Sequence, residues 1–335
     1  MPGPPRAVAE LRSAVRQGLR SSRQPVLVAC SGGADSVALA AALAFECRGA
    51  GVRGGGVTVD HGLQPGSAER AAATVDLLRE FGLDPVLVRR VDVGPDGGPE
   101  GAARAARYDA LAAVAAAHGA RIALGHTLDD QAETVLLGLG RGSGPRSVAG
   151  MTEERPPYWR PLLAVRRATA RQACLDQGLP VWDDPWNDDP AYPRVRLRAE
   201  VLPLLEDVLG GGVAPALART AAQLREDLDA LDGLAAAHHR PEEAGLRVAD
   251  VTALPAALRR RVLRRWLLGR GVTDLQAVHL AAVDALLTRW RGQGRVDLPG
   301  GAGVVRTSGR LALLPPDHRG DEPHDAQPHP EEPPA

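Results

Sequence analysis

The segment ACSGGADSVAL, residues 29–39, decides the fold. An apolar stretch runs into two glycines, a carboxylate and two hydroxyl residues, and a helical pattern follows at once. Gly32 and Gly33 allow the backbone to approach a ligand closely, and a helix that begins here offers free N–H groups and the positive end of its dipole. Ser31 and Ser36 add hydroxyl donors. The segment therefore predicts a site for a phosphate chain; the alternative is an ordinary strand–helix turn that a Ser or Asp side chain caps.

A carboxylate, Asp35, lies inside this predicted anion site. Its charge would repel phosphate unless a divalent metal ion lies between them, so the sequence predicts Mg²⁺. All forty basic residues of the chain are arginines, because it contains no lysine. The Walker A motif, which requires a lysine, is therefore excluded. Any fixed cation in the site must be an arginine or a metal ion.

Short apolar stretches alternate with helical stretches around this segment. The predicted strands are residues 25–30, 55–60, 86–91 and 121–125, and the predicted helices are residues 36–48, 67–82, 100–118 and 129–139. This alternation predicts an α/β fold with a parallel, doubly wound, Rossmann-like sheet. Ligands of such sheets bind beyond the carboxyl ends of the strands. The glycine loop, DHG (60–62) and GHTLDD (125–130) all lie at those ends.

The motifs together resemble those of one enzyme family. SGGADS (31–36) is similar to the PP-loop signature of the ATP pyrophosphatase superfamily. Five further segments resemble tRNA(Ile)-lysidine synthetases; in chain order they are VDHGLQPGS (59–67), EGAARAARYDAL (100–111), GHTLDDQAETVLLGLGRGSG (125–144), RPLL (160–163) and DDPWNDDPAYPRVRLR (183–198). The resemblance covers residues 25–205 and, more weakly, the chain to residue 314. Gln64, Trp186 and Val195 depart from the residues usual in that family.

The resemblance implies an ATP-dependent, AMP-forming ligase. Such an enzyme attaches L-lysine to carbon 2 of the wobble cytidine of the isoleucine tRNA with a CAU anticodon, through an adenylated cytidine, and releases pyrophosphate. ATP, Mg²⁺, tRNA and lysine are the implied ligands, and a homodimer is left open. Two alternatives remain: another PP-loop adenylating enzyme, acting in tRNA thiolation or amide synthesis, and a tRNA-binding protein without catalysis. Thiolation usually needs a reactive cysteine pair, and Cys30, Cys47 and Cys174 form no such motif.

Composition and resemblance together divide the chain into four parts. We expect a PP-loop catalytic domain in residues 1–205, a helical linker in 206–244, a small α+β domain that binds tRNA in 245–314, and a disordered, acidic, Pro-rich tail in 315–335. The resemblance also implies a short form, without the additional C-terminal domain of longer members. No run of 18 apolar residues and no signal segment occurs, so we expect a cytoplasmic protein without a membrane partner.

The candidate ATP ligands lie at the predicted carboxyl edge of the sheet. They are Ser31, Gly32, Gly33, Ala34, Asp35, Ser36, His61 and His126. Asp35 and Asp130 are the candidate Mg²⁺ ligands. For His126 an alternative is the ligand of another metal ion.

The residues after the fourth predicted strand share one face of a helix N-terminus. His126, Asp129, Asp130 and Glu133 are spaced i, i+3, i+4 and i+7, although acids here can also simply complement the helix dipole. A lysine ε-amine, with a pKa of about 10.4, is mostly protonated at pH 7. The implied reaction therefore needs a carboxylate that pairs with the ammonium and accepts its proton. Asp130 and Glu133, together with Asp35, are the candidate catalytic acids.

Because the chain has no lysine, arginine must supply the fixed positive charge. Arg107 is the candidate for stabilising charge on phosphate or substrate; the alternative is a solvated helix face. The candidate tRNA contacts are Arg141, Arg160, Arg194, Arg196, Arg198, Arg264 and Arg265. The last two belong to a basic helix in residues 257–270, which would bind RNA with release of counterions. In the alternative this is an amphipathic surface helix with Trp266 in the core.

Overall fold

A computed structural model of the protein describes residues 3–20, 22–62, 64–92, 99–142, 144–238 and 245–316. The chain forms two compact units, Met1–Arg225 and Glu226–Ala335. Their boundary falls within a long helix, Val213–Ala237. Beyond its first two residues, the predicted tail at 315–335 lies outside the described residues, and the division into four parts stays a prediction.

In its described residues, the first unit contains a six-stranded sheet. Its strands are β1 (Val26–Ala29), β2 (Gly54–Asp60), β3 (Val86–Arg90), β4 (Arg121–Leu124), β5 (Glu154–Arg155) and β6 (Tyr158–Trp159). The order across the sheet is β3-β2-β1-β4-β6-β5, and every neighbouring pair is parallel except β5 and β6. The predicted α/β sheet is therefore confirmed, and β1 to β4 are the four predicted strands.

Helices pack on both faces of this sheet. The helices described up to residue 237 are α1 (Arg6–Arg20), α2 (Ala34–Ala50), α3 (Ser67–Glu80), α4 (Pro99–His118), α5 (Leu128–Gly140), α6 (Pro145–Val148), α7 (Arg167–Asp176), α8 (Pro193–Arg196), α9 (Leu202–Val208) and α10 (Val213–Ala237). Val28 of β1 lies in a core with residues of α1, α2 and α7, whereas Leu27 lies in a core with residues of α4. This alternation follows from the two-residue period of a strand.

The carboxyl ends of β1, β2 and β4 meet at one edge of the sheet, because these strands are adjacent and parallel. The strand order reverses between β1 and β4, which is where doubly wound sheets bind ligands. The loop after β1 contains Gly32 with a φ of +87°. Gly125 follows β4, and a Cβ there would lie 3.1 Å from the Asp35 backbone. Glycine thus allows the end of β4 to approach the start of α2.

The second unit, as far as it is described, is built on an antiparallel sheet. Its strands are β7 (Gly245–Arg247), β8 (Val296–Asp297), β9 (Gly303–Thr307) and β10 (Arg310–Leu314), in the order β7-β10-β9-β8. Its helices after residue 245 are α11 (Val248–Thr252), α12 (Ala256–Gly269) and α13 (Ala277–Thr288). Trp266 of α12 is only 2% exposed and packs in the core, as the amphipathic alternative for the basic helix predicts. Arg259 of the same helix pairs with Asp284 of α13.

Within the described residues, no single helix is long and apolar enough to cross a membrane. One bent pair of helical segments, Pro193–Val208 and Val213–Ala237, meets the length and composition criterion only when both are taken together.

Candidate active site

A cleft of about 880 Å³ lies at the carboxyl edge of β1, β2 and β4. It brings together most of the residues that the sequence predicts for ATP binding and catalysis. Those that line it are Ser31, Gly33, Ala34, Asp35, Ser36, His61, Arg107, His126 and Asp130, and two of the arginines predicted to contact tRNA, Arg194 and Arg198, line it as well. Gly32 belongs to the same loop, between Ser31 and Gly33, but does not itself line the cleft. The three polar segments predicted to converge do lie in one cleft.

The glycine loop leaves the first turn of α2 without a side-chain cap. The N-cap residue is Gly33, which cannot accept a hydrogen bond through a side chain, so the alternative of a capped strand–helix turn is wrong. Ser36 Oγ instead donates to Gly33 O at 2.9 Å and accepts from Ser31 N at 3.2 Å. The backbone of Trp182 supports the loop from behind, because its N–H donates to Gly32 O at 3.0 Å. An uncapped helix N-terminus beside two hydroxyls is well suited to bind phosphate.

Asp35 presents a carboxylate oxygen that has no hydrogen-bond partner among the described residues. Its Oδ1 is buried and unpartnered, while its Oδ2 lies 3.5 Å from Arg167 Nε. Burial raises the pKa of Asp35 to about 6; the charge of Asp130 acts in the same direction and Arg167 opposes both. Mg²⁺ usually takes one or two protein carboxylates, with phosphate oxygens and waters as its other ligands. The free oxygen beside the phosphate loop fits that requirement.

Asp130 has both carboxylate oxygens engaged. Its Oδ2 accepts from Thr127 N at 2.7 Å and from Thr127 Oγ1 at 2.8 Å. The first of these bonds, together with the bond that Asp130 N donates to Thr127 Oγ1, forms the capping box of α5. Asp130 Oδ1 accepts from Arg167 at 2.7 Å. Burial alone would raise the pKa of Asp130, but Arg167 and the Thr127 hydrogen bonds hold it below its usual value. Asp130 therefore caps the helix, as the alternative predicts, and faces the cleft as well. As a metal ligand it fits less well than Asp35.

Arg167, at the start of α7, is the central cation of the site, and the sequence reasoning missed it. Its guanidinium lies 2.7 Å from Asp130, 3.1 Å from Glu133 and 3.5 Å from Asp35. Burial acts against the charge, but the three carboxylates outweigh it and raise the pKa of Arg167. Its signal in the sequence was the pair of arginines that follows the RPLL motif.

Glu133 is fully buried and does not line the cleft. Its Oε1 accepts from Arg167 at 3.1 Å and from Arg198 at 3.0 Å, and its Oε2 lies 3.9 Å from Arg194. Arg198 belongs to a π-helical turn, Leu197–Val201, of the kind that is frequent at functional sites. These contacts favour an anchoring role for Glu133, and its catalytic role stays a prediction.

The wall of the cleft formed by α4 and the ends of β2 and β4 carries buried polar atoms that make no hydrogen bond within the described residues. His61 Nδ1, His126 Nδ1 and Arg107 Nε are buried without a hydrogen-bond partner among the described residues. Burial lowers the pKa of His126 to about 3, and burial with the nearby Arg107 lowers the pKa of His61. Both imidazoles are therefore neutral at pH 7. No set of three or more His, Cys, Asp or Glu residues in the described ranges is arranged to hold a metal ion.

The arginines predicted to contact tRNA have different environments. Arg194 and Arg198 line the cleft, whereas Arg196 pairs with Glu200 on the surface. Arg160 is only 6% exposed and donates to Thr152 O at 3.1 Å, which favours a structural role. Arg141, at the end of α5, is exposed.

In the second unit, two candidate arginines lie one after the other on α12. Arg265 is exposed, and Arg264 donates to Leu275 O at 2.9 Å. Contact of these arginines with tRNA stays a prediction.

Comparisons with known proteins agree with this architecture. Residues 6–205 match the PP-loop domain family, and residues 246–312 match the TilS substrate binding domain family. A tRNA(Ile)-lysidine synthase of Streptomyces coelicolor is 59% identical over an alignment of 297 residues that covers 86% of this chain and 84% of that relative. A tRNA(Ile)-lysidine synthase of Thermobifida fusca is 52% identical over 93% of this chain and 99% of its own.

A solved structure, the U34-tRNA thiolase NcsA from Methanococcus maripaludis with its [4Fe-4S] cluster, superposes with a TM-score of 0.54. It is 19% identical and covers 66% of this chain and 80% of its own, so it shows the shared fold alone. The assignment of the chain to a family rests on its sequence identity to these relatives and on the two matched domains. The chain belongs to the tRNA(Ile)-lysidine synthase family.

Proposed function

We propose that this chain is an ATP-dependent ligase that joins L-lysine to carbon 2 of the wobble cytidine of the isoleucine tRNA with a CAU anticodon. Membership of the family supports ATP as substrate and tRNA as partner. One structural observation carries the proposal furthest: the buried, unpartnered Asp35 oxygen lies beside an uncapped helix N-terminus, in the same cleft as Asp130 and Arg107. That cleft combines a phosphate site with a carboxylate that could recognise an amine.

In the first step the cytidine O2 attacks the α-phosphorus of ATP and the bond to pyrophosphate breaks. The N–H groups at the start of α2, with Ser31 and Ser36, would hold the departing pyrophosphate. Asp35 is the residue that would hold Mg²⁺, and the ion when bound neutralises charge on the phosphate oxygens. Arg107 lines the same cleft with an unpartnered Nε, where it would stabilise negative charge on the α-phosphate.

In the second step the lysine ε-amine attacks carbon 2, and the bond to AMP breaks. The amine must first lose a proton, because its pKa of about 10.4 keeps it charged at pH 7. Asp130 lines the cleft and Glu133 does not, so we propose that the Asp130 carboxylate pairs with the ammonium and accepts its proton, with Arg167 as its positioning residue. His126 is neutral at pH 7, because burial lowers its pKa to about 3. It would bind substrate through its ring nitrogens.

Thiolation is the less favourable alternative. All three cysteines are buried, and burial raises the pKa of each thiol, whereas the thiolate is the reactive form. Lysine as the amine, the cytoplasmic location and a possible homodimer are further parts of the proposal that rest on the sequence.

Release of pyrophosphate tests the adenylation step separately from lysine transfer. The purified chain is incubated with ATP, Mg²⁺ and unmodified isoleucine tRNA, without lysine. We expect pyrophosphate only when this tRNA is present, none with Asp35→Ala, and an unchanged rate with Asp76→Ala, which removes an exposed carboxylate of α3. Release without RNA would show that the tRNA is not the group that receives AMP and would contradict the proposal, and no release with the correct tRNA would favour a binding protein.

A further inference from the structure

An exposed indole lies in the cleft described above. Trp186 belongs to a short 3-10 turn, Pro185–Asp188, lines the cleft and is 42% exposed. Trp159 and Trp266 are buried, as is usual for so large an apolar ring. Water around an exposed indole is released when a flat apolar surface covers it. The ring is therefore available to a ligand that enters the cleft.

The turn that carries this indole is fixed at two points. Asp183 accepts two hydrogen bonds from Arg171 of α7, at 2.8 and 2.9 Å. Asp184 Oδ1 accepts from Trp186 N at 3.0 Å and from Gln64 Nε2 at 3.1 Å, which ties the turn to the segment after β2. The backbone beneath the ring is thus held before any ligand arrives. A preorganised aromatic surface loses little conformational entropy on binding.

The neighbours of Trp186 resemble a surface for an unpaired base. Tyr192 lies with its ring centroid 6.5 Å away at an interplanar angle of 35°, and Arg194 lines the same cleft. Trp182, which also lines the cleft, is already covered by the guanidinium of Arg70 at 4.4 Å. Among the described residues no cation lies over the Trp186 ring in this way. Trp186 thus offers an exposed ring in a cleft that Arg194 also lines.

We propose that Trp186 is a stacking surface for an unpaired base of the RNA substrate, an inference that rests on the proposed function. Unpaired bases are recognised by stacking on aromatic rings, and every base offers a π-face to such a surface. Arg194, which lines the same cleft, would then pair with a phosphate of the bound strand. The adenine of ATP offers the same stacking chemistry, so the test must separate the two sources of the base.

Equilibrium binding to the full-length chain tests this inference without turnover. The dissociation constants for unmodified isoleucine tRNA and for ATP are measured at one salt concentration for wild type, Trp186→Ala, Trp186→Phe and Leu175→Ala. Leu175 is an exposed apolar residue of α7 that does not line the cleft, so it serves as the matched control. We expect Trp186→Ala to weaken tRNA binding roughly 5- to 150-fold, Trp186→Phe to keep most of the affinity, and ATP binding to stay unchanged.

A tRNA with one abasic nucleotide in the anticodon loop identifies the stacked base. When the missing base is the one that stacks on Trp186, wild type binds the abasic tRNA as weakly as Trp186→Ala binds the intact tRNA. Combining the abasic tRNA with Trp186→Ala then weakens binding no further than either change alone. Unchanged tRNA binding by Trp186→Ala, loss of ATP binding alone, or the absence of any coupled position would overturn the inference. A wild-type chain that does not bind the tRNA would instead refute the proposed function itself.

Discussion

Arg167 Nη2 lies 2.7 Å from Asp130 Oδ1, an ion pair that joins α7 to α5 across 37 positions of sequence. The same nitrogen lies 3.1 Å from Glu133, and Arg167 Nε lies 3.5 Å from Asp35. One guanidinium thus neutralises carboxylates that come from two helices of the sheet's carboxyl edge. It holds Asp130 in place while Asp35 Oδ1 stays free for the metal ion that accompanies ATP.

Arg167→Ala should lower both stability and the affinity for lysine. Removing one partner from a largely buried ion-pair cluster costs on the order of 3 kcal/mol of unfolding free energy, because three carboxylates lose their common cation. We expect a higher KM for lysine and an unchanged dissociation constant for tRNA. Arg167→Lys should recover part of the stability, since a lysine keeps the charge but not the planar fork. Arg79→Ala, at an exposed arginine of α3, is the control; equal effects of the two alanine variants on stability would argue against this role.

Asp35→Asn should stabilise the free protein at pH 7.5 while it abolishes activity. Burial raises the pKa of Asp35 to about 6, above the value of about 3.9 in an unfolded chain. Between about pH 3.9 and pH 6 the Asp35 side chain is protonated in the folded protein but ionised in the unfolded chain. The contribution of Asp35 to the free energy of unfolding therefore falls as pH rises through this range and is lowest above about pH 6. Asparagine removes a penalty on the order of 2–3 kcal/mol. Thermal melts without Mg²⁺ or ATP should show the gain at pH 7.5 and none at pH 4; a variant that melts lower at pH 7.5 would contradict this.

Glu133→Gln distinguishes an anchor from a base. The variant keeps an oxygen that can accept from Arg167 and Arg198 but cannot take a proton. If Glu133 is an anchor, the melting temperature falls, and the activity of the folded fraction stays within about tenfold of wild type. Loss of a proton-transfer group typically costs 10²- to 10⁴-fold. If the fully folded variant, measured well below its melting temperature, lost that much activity, the result would support a catalytic role for Glu133.

Two arginines of α12 should behave differently in tRNA binding. Arg265 is exposed, whereas Arg259 forms a largely buried ion pair with Asp284. If Arg265 contacts a phosphate, Arg265→Ala should reduce the slope of log affinity against log salt by about 1. Arg259→Ala should destabilise the second unit instead, because it leaves the Asp284 carboxylate unpaired. An Arg265→Ala variant with an unchanged salt slope would remove this residue from the RNA-binding surface.

The sequence predicted the strands and the loops at their ends because both have local causes. The stretches at β1 and β4 are short, mostly apolar runs of the kind that forms buried strands, and the glycine loop combines φ freedom with a helix start. Arg167 escaped prediction because its partners come together only when α7 packs beside α2 and α5. Glu133 was predicted from helical spacing. Spacing tells on which face of the helix a residue lies, but not whether that face lines a cleft or is buried. Trp266 packs in the core, as the structural alternative predicts, whereas Asp130 both caps α5 and lines the cleft, so its predicted catalytic role stays a prediction.

The most direct test of the central claim follows labelled lysine into tRNA. The chain is incubated with ATP, Mg²⁺ and labelled lysine, in one reaction with an unmodified isoleucine transcript carrying a CAU anticodon and in another with the elongator methionine tRNA. We predict label only in the isoleucine tRNA, lost in Asp35→Ala and kept in Asp76→Ala. No label in either tRNA, while a known lysidine-forming enzyme labels the same transcript, would contradict the account.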